Sequence, residues 1–135
     1  MNSSRPLSPH LGVYKFMYTM SLSILHRITG CAAAVGFLLF VWWLMALASG
    51  PAAYASAMSA LGSPLAKLLL VGFTFSFVYH FCNGIRHLVW DTGRGLERAQ
   101  ARRSAAVVVV AALLLTAVAV WFGCRAFGHV VGISP

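Results

Sequence analysis

Leu65-Ala-Lys-Leu-Leu-Leu-Val-Gly-Phe-Thr-Phe-Ser-Phe-Val-Tyr-His80-Phe-Cys-Asn-Gly-Ile-Arg-His-Leu-Val-Trp90 is the stretch that decides the fold. Its long apolar part carries a single charge, Lys67, whose stem can snorkel to an interface. A run this long and this poor in charge reads as a helix that crosses a membrane, which takes ~20 apolar residues. Ser63-Pro64 supplies an N-cap and a proline at the first helical position. At ~100° per residue, His80, Gly84, His87 and Asp91 fall on one stripe, extended by Phe73 and Phe77. Titratable side chains are costly in lipid, so their presence at the end of such a helix marks a functional site.

The rest of the chain agrees with a membrane setting. Of 135 residues, 60% are hydrophobic and 9% charged, against roughly 25% charged in soluble domains. The fold class is therefore all-α: one membrane domain over residues 1–135, with three transmembrane helices over about 21–49, 64–90 and 104–124. An interfacial N-terminal segment precedes them, in which Pro6 and Pro9 forbid a regular helix and Tyr14, Phe16 and Tyr18 suit the headgroup zone. His10 in that segment reads as a surface histidine. Residues 50–63 read as a short uncharged loop and 91–103 as a charged one. Ser104 reads as the cap of the third span, and 125–135 as a short tail. The third span, Val, Ala and Leu almost throughout, reads as structural.

The net charge of +8 would suggest nucleic acid in a soluble protein, but here the basic residues gather at segment ends. Arg5, Lys15, Arg27, Arg86, Arg94, Arg98, Arg102 and Arg103 lie on one side, and only Lys67 and Arg125 on the other. That bias places the N-terminus in the cytoplasm and expects no nucleic-acid partner. Cys31, Cys82 and Cys124 read as small buried hydrophobes, with no zinc or covalent-haem spacing. No cleavable leader or transit peptide is evident, so the chain is expected to be complete and bacterial.

The start of the first span brings a second polar stripe to the same side. Ser23, Arg27, Gly30 and Ala34 share a face, with His26 beside it. Two helices thus bring His26, Arg27, His80, Arg86 and His87 to one leaflet. His80 lies ~10 Å deeper than His87, a separation that suits a haem held edge-on. Its iron would sit at the depth of His80 and its propionates at a basic rim of His26, Arg27, Arg86 and His87. Gly84 would leave room for the ring. On spacing alone, a histidine bonded to a neighbouring helix and simple interface anchors remain open alternatives. Asp91 has no firm role beyond capping or orienting the helix foot beside Arg86 or Arg94.

Two motifs go further. Arg5-Pro-Leu-Ser-Pro-His10-Leu11 followed by Ser23-Ile-Leu-His26-Arg27-Ile-Thr29-Gly30 resembles the first signature of the large cytochrome b subunit of succinate dehydrogenase. His80-x-x-x-Gly84-Ile85-Arg86-His87-Leu88-x-Trp90-Asp91-x-Gly93 resembles the second. The resemblance implies that His80 is an axial ligand of haem b, whose other ligand comes from a small membrane anchor subunit. It implies that His26, Arg27 and His87 lie near the propionates and that Ser23 and Arg27 line a ubiquinone pocket. It also implies an iron–sulfur subunit and a flavoprotein subunit as partners, and a place in electron transport from succinate in a bacterial inner membrane. No stand-alone catalysis is expected: Asp91 and Glu97 are the only acids, and no nucleotide-binding glycine pattern occurs. The rival readings are a haem-free anchor or assembly subunit, and a transport or channel subunit.

Overall fold

The computed structural model describes residues 18–131, the last five by backbone alone. Four helices follow in order: α1 (Tyr18–Ala48), α2 (Pro51–Leu61), α3 (Pro64–Asp91) and α4 (Arg98–Val131). No strand occurs among the described residues. α1, α3 and α4 are long and apolar enough to cross a membrane, so this is an all-α, multi-pass membrane protein. The expected interfacial segment, with His10, lies outside the described residues.

Three boundaries differ from expectation, each for a local reason. Residues 50–63 are not a loop, because α2 occupies most of them. Gly50 at φ 106° breaks α1, Pro51 restarts a helix at its first position, and the alanines between them and Leu61 favour helix. α4 begins at Arg98, not at Ser104, whose hydroxyl donates within the helix to the Ala101 carbonyl at 3.1 Å. α4 also runs to Val131 through the stretch expected to be a tail. Its 34 residues span ~51 Å at 1.5 Å each, more than the ~30 Å hydrocarbon. Charged turns can therefore be helical outside the hydrocarbon. The Ser63–Pro64 start of α3 is as expected, with Ser63 Oγ accepting from the Ala66 amide at 3.3 Å.

α1 and α3 run antiparallel, in register from Gly36 beside Phe73 to His26 beside His87. α3 is packed between α1 and α4. The buried core comprises Leu22, Tyr79, Ala105, Val108 and Ala112, flanked by Leu25, Phe75, Val78 and Cys82. Ala105 and Ala112 are small enough to let α4 close on Tyr79. Outward faces carry large apolar side chains such as Phe37, Leu68, Phe77, Leu114 and Phe122, as a lipid-facing surface requires. Cys31 and Cys124 are exposed on that surface and Cys82 is half-buried; all three are free thiols. The expectation of three buried cysteines fails because α1 and α4 each bury only one side.

Candidate functional site

The basic end of the bundle joins three histidines from two helices. The His26 and His80 rings stack, with centroids 4.0 Å apart and planes 9° from parallel. His87 lies 5.2 Å from His26 and meets Trp90 edge-on at 5.0 Å. His80 Nδ1 is 3.1 Å from the His26 carbonyl oxygen. A carbonyl only accepts, so Nδ1 carries a proton, which in the neutral ring leaves the lone pair on Nε2. The ring reaches that carbonyl over Gly30, where a methyl group would stand 2.8 Å from His80 Cε1.

The same carbonyl has another neighbour. Thr29, almost fully buried, donates its hydroxyl to the Leu25 carbonyl at 2.8 Å, with the His26 carbonyl 3.0 Å away. His26 Nδ1 is buried and has no hydrogen-bond partner among the described residues. A turn below His80, no atom stands within 4 Å of where a Gly84 side chain would begin.

Ser23 and Arg27 flank His26 on α1, but both side chains are exposed and neither is hydrogen-bonded to any of the three rings. Arg86 belongs elsewhere, against the reading that put it on the basic rim. Six residues after His80, it stands about 240° round the helix and faces α4. Only 7% exposed, it donates to Asn83 Oδ1 (3.2 Å), Ser104 Oγ (3.0 Å) and the Ala101 carbonyl (2.9 Å). Its guanidinium also lies 3.9 Å over the Trp90 ring. Trp90 Nε1 in turn donates to the Gly95 carbonyl at 3.0 Å, closing the corner between α3 and α4. Asp91 is exposed and pairs with neither Arg86 nor Arg94.

The sequence reading gave no role to Asn83, Tyr79 or Thr29. A signal for the first two was present: Ser76, Tyr79, Asn83 and Arg86, all buried, form an i, i+3, i+7, i+10 stripe beside the histidine stripe. A cavity of about 700 Å³ opens near this corner, lined by Tyr18, Trp90, Arg98 and Arg102 among others, but none of the histidines lines it.

Chemically, the donor set suits a metal held by one imidazole of this chain. Among the described residues no group of three or more histidine, cysteine or acidic side chains could hold an ion alone. A haem fits these residues. His80 offers a lone pair fixed by its Nδ1 bond, Gly84 leaves space, and the orphaned His26 Nδ1 is a polar atom in need of a partner.

Comparison with known proteins points the same way. Residues 1–119 match the family described as succinate dehydrogenase/fumarate reductase transmembrane subunit. The chain is 40% identical over 112 residues to the succinate dehydrogenase cytochrome b556 subunit of Paracoccus denitrificans, covering 83% of this chain and 86% of that one. It is 42% identical over 114 residues to the subunit of the same name in Rickettsia prowazekii (strain Madrid E), covering 84% and 89%. It is 38% identical over 116 residues to the mitochondrial succinate dehydrogenase cytochrome b560 subunit of Homo sapiens, covering 84% and 69%.

Proposed function

The chain belongs to the succinate dehydrogenase/fumarate reductase transmembrane subunit family, and from that premise we propose that it anchors a succinate:quinone oxidoreductase, binds haem b and forms part of the ubiquinone site. The observation that carries the haem assignment is the His80 imidazole, with Nδ1–H on the His26 carbonyl and Nε2 left for iron. Metal-bound histidines characteristically donate their other ring N–H in this way. His26, Arg27 and His87 would hold the haem carboxylates, and a small anchor subunit would supply the other ligand to its iron. When bound, haem supplies reversible one-electron redox at its iron.

Ubiquinone takes up two electrons and two protons to become the quinol. The electrons come from succinate oxidation through flavoprotein and iron–sulfur subunits. The exposed Ser23 hydroxyl donates to one quinone carbonyl oxygen. The Arg27 guanidinium stabilises the negative charge that develops on reduction, an effect that is strong where water is scarce. This chain binds and orients; the dehydrogenase chemistry resides in its partners. The site faces the cytoplasm from a bacterial inner membrane, as the arginine bias suggests.

The test is the absorbance spectrum of the purified complex carrying His80→Ala. Loss of the bis-histidine b-type signal is expected. A spectrum identical to wild type would overturn the ligand assignment and favour a haem-free anchor.

A further inference from the structure

We propose that the stretch of α1 from Leu25 to Gly30 is a built seat for the His80 imidazole, and that Thr29 and Gly30 are positioning residues that set its electron-donating strength and its orientation. The proposal deepens the assignment of His80 as haem ligand and rests on it.

The His26 carbonyl is the centre of the seat. It accepts the helical Gly30 N–H, as position i+4 of a continuous helix requires. It also accepts His80 Nδ1–H at 3.1 Å, and the Thr29 hydroxyl stands 3.0 Å away. A carbonyl oxygen has two lone pairs, so three donors compete for it. A threonine that bonds back to the carbonyl four residues earlier is common in helices, and the 2.8 Å bond from Thr29 to Leu25 is of that kind. What distinguishes Thr29 is that its single proton is shared with the one carbonyl that also holds His80.

The competition has a direction. Removing the Thr29 hydroxyl leaves His80 Nδ1–H the only side-chain donor on that oxygen. The stronger bond pulls the Nδ1 proton further and enriches the imidazole in electron density. A more basic axial ligand favours the ferric over the ferrous iron. Thr29 therefore holds the haem potential up.

Gly30 controls placement. His80 Cε1 and Nδ1 would lie 2.8 Å and 3.1 Å from a methyl group at this position, but Nε2 would be 3.7 Å away. A side chain at residue 30 would thus push the bonded edge of the ring off the carbonyl and turn the imidazole plane. By contrast, Gly84 and Gly72 meet no atom within 4 Å, and the crowding at Gly36 comes from Phe73, so the close approach to the imidazole belongs to Gly30.

The complete membrane complex, purified with its partner subunits, tests this with Thr29→Val, Thr29→Ser, Gly30→Ala and the control Thr116→Val. Thr116 is another buried threonine, on α4 and away from the seat. The readouts are haem per complex, the midpoint potential from redox titration of the haem absorbance, and the low-spin ferric EPR g value. Thr29→Val should shift the potential downward at full haem content. Thr29→Ser and Thr116→Val should match wild type. Gly30→Ala should shift the g value, which reports the relative orientation of the axial imidazole planes.

A wild-type potential in Thr29→Val, or an equal shift in Thr29→Ser, overturns the role of Thr29. An unchanged g value in assembled Gly30→Ala overturns that of Gly30; if that variant does not assemble, the Thr29 pair decides for the seat. His80→Ala separates this from the underlying assignment. Loss of haem in His80→Ala with an inert Thr29→Val refutes the seat alone, whereas retention of haem in His80→Ala refutes both.

Discussion

The Tyr79 hydroxyl donates to the Leu22 carbonyl at 3.1 Å, a side-chain bond across 57 residues of sequence that fixes α3 against α1. Tyr79 is 1% exposed and lies in the core between α1 and α4. Its ring fills space while its hydroxyl sets the register that brings His80 to Gly30. Tyr79→Phe keeps the ring and removes the bond, so it should cost about 1 kcal/mol. Thermal unfolding of the detergent-solubilised complex would show it as a modest fall in Tm with the haem spectrum retained.

Arg86 should prove more expensive. Its guanidinium is buried, makes no ion pair among the described residues, and serves three acceptors on two helices. Arg86→Ala breaks three bonds and leaves Asn83 Oδ1 unpaired, while the Ala101 carbonyl keeps the Ser104 hydroxyl, for a loss on the order of 3 kcal/mol. Arg86→Lys should recover only part of that, because a point charge cannot fork to three acceptors. Arg94→Ala, at an exposed position, should change the same unfolding curve little.

Two glycines of α1 and α3 should part company. A methyl group on Gly36 would stand 3.0 Å from Phe73 Cβ and Cγ, so Gly36→Ala should wedge α1 from α3 and cost roughly 1–3 kcal/mol. Phe73→Leu in the same chain should restore part of the loss. Gly84 meets no such wall. Gly84→Leu should leave helix content by circular dichroism unchanged while lowering haem per complex, because the added side chain enters the space assigned to the ring.

Arg27 separates quinone chemistry from assembly. Its side chain is exposed and makes no hydrogen bond among the described residues, so Arg27→Ala should fold normally. Succinate-driven quinone reduction should fall by one to two orders of magnitude, at about 1.4 kcal/mol per tenfold. Reduction of an artificial dye by the same preparation should persist. Equal loss of both activities would indicate failed assembly instead.

Much of this architecture was legible in the sequence, and the limits have physical causes. Three apolar runs near the length of a bilayer announced α1, α3 and α4. α2 was hidden because Gly50-Pro51 and Gly62-Ser63-Pro64 punctuate a stretch whose alanines form a helix between them. The start of α4 was hidden because Arg98, Arg102 and Arg103 look like loop charges, although a helix tolerates them beyond the hydrocarbon. Within each helix the polar stripes were readable, so His80 and His87 could be aligned. The register between helices was not, because it depends on which side chains interlock; the 4.0 Å stacking of His26 on His80 emerges only from packing. Arg86 shows the opposite error. Its depth matched the basic rim, but its angle round α3 sends it to α4.

The corner between α3 and α4 bears on the timing of assembly. Trp90 reaches Gly95 across 5 residues and Arg86 reaches Ala101 across 15, whereas His80 reaches His26 across 54. Short closures sacrifice less chain entropy than long ones, so the α3–α4 hairpin should be set before α1 is captured. Pulse-labelled cross-linking during membrane insertion should accordingly trap an 86–104 cysteine pair before a 30–80 pair; the reverse order would count against this sequence of events. The contact of His80 with α1 is then the last part of the bundle to close, and a nascent subunit leaves that imidazole uncovered until α1 shuts over it.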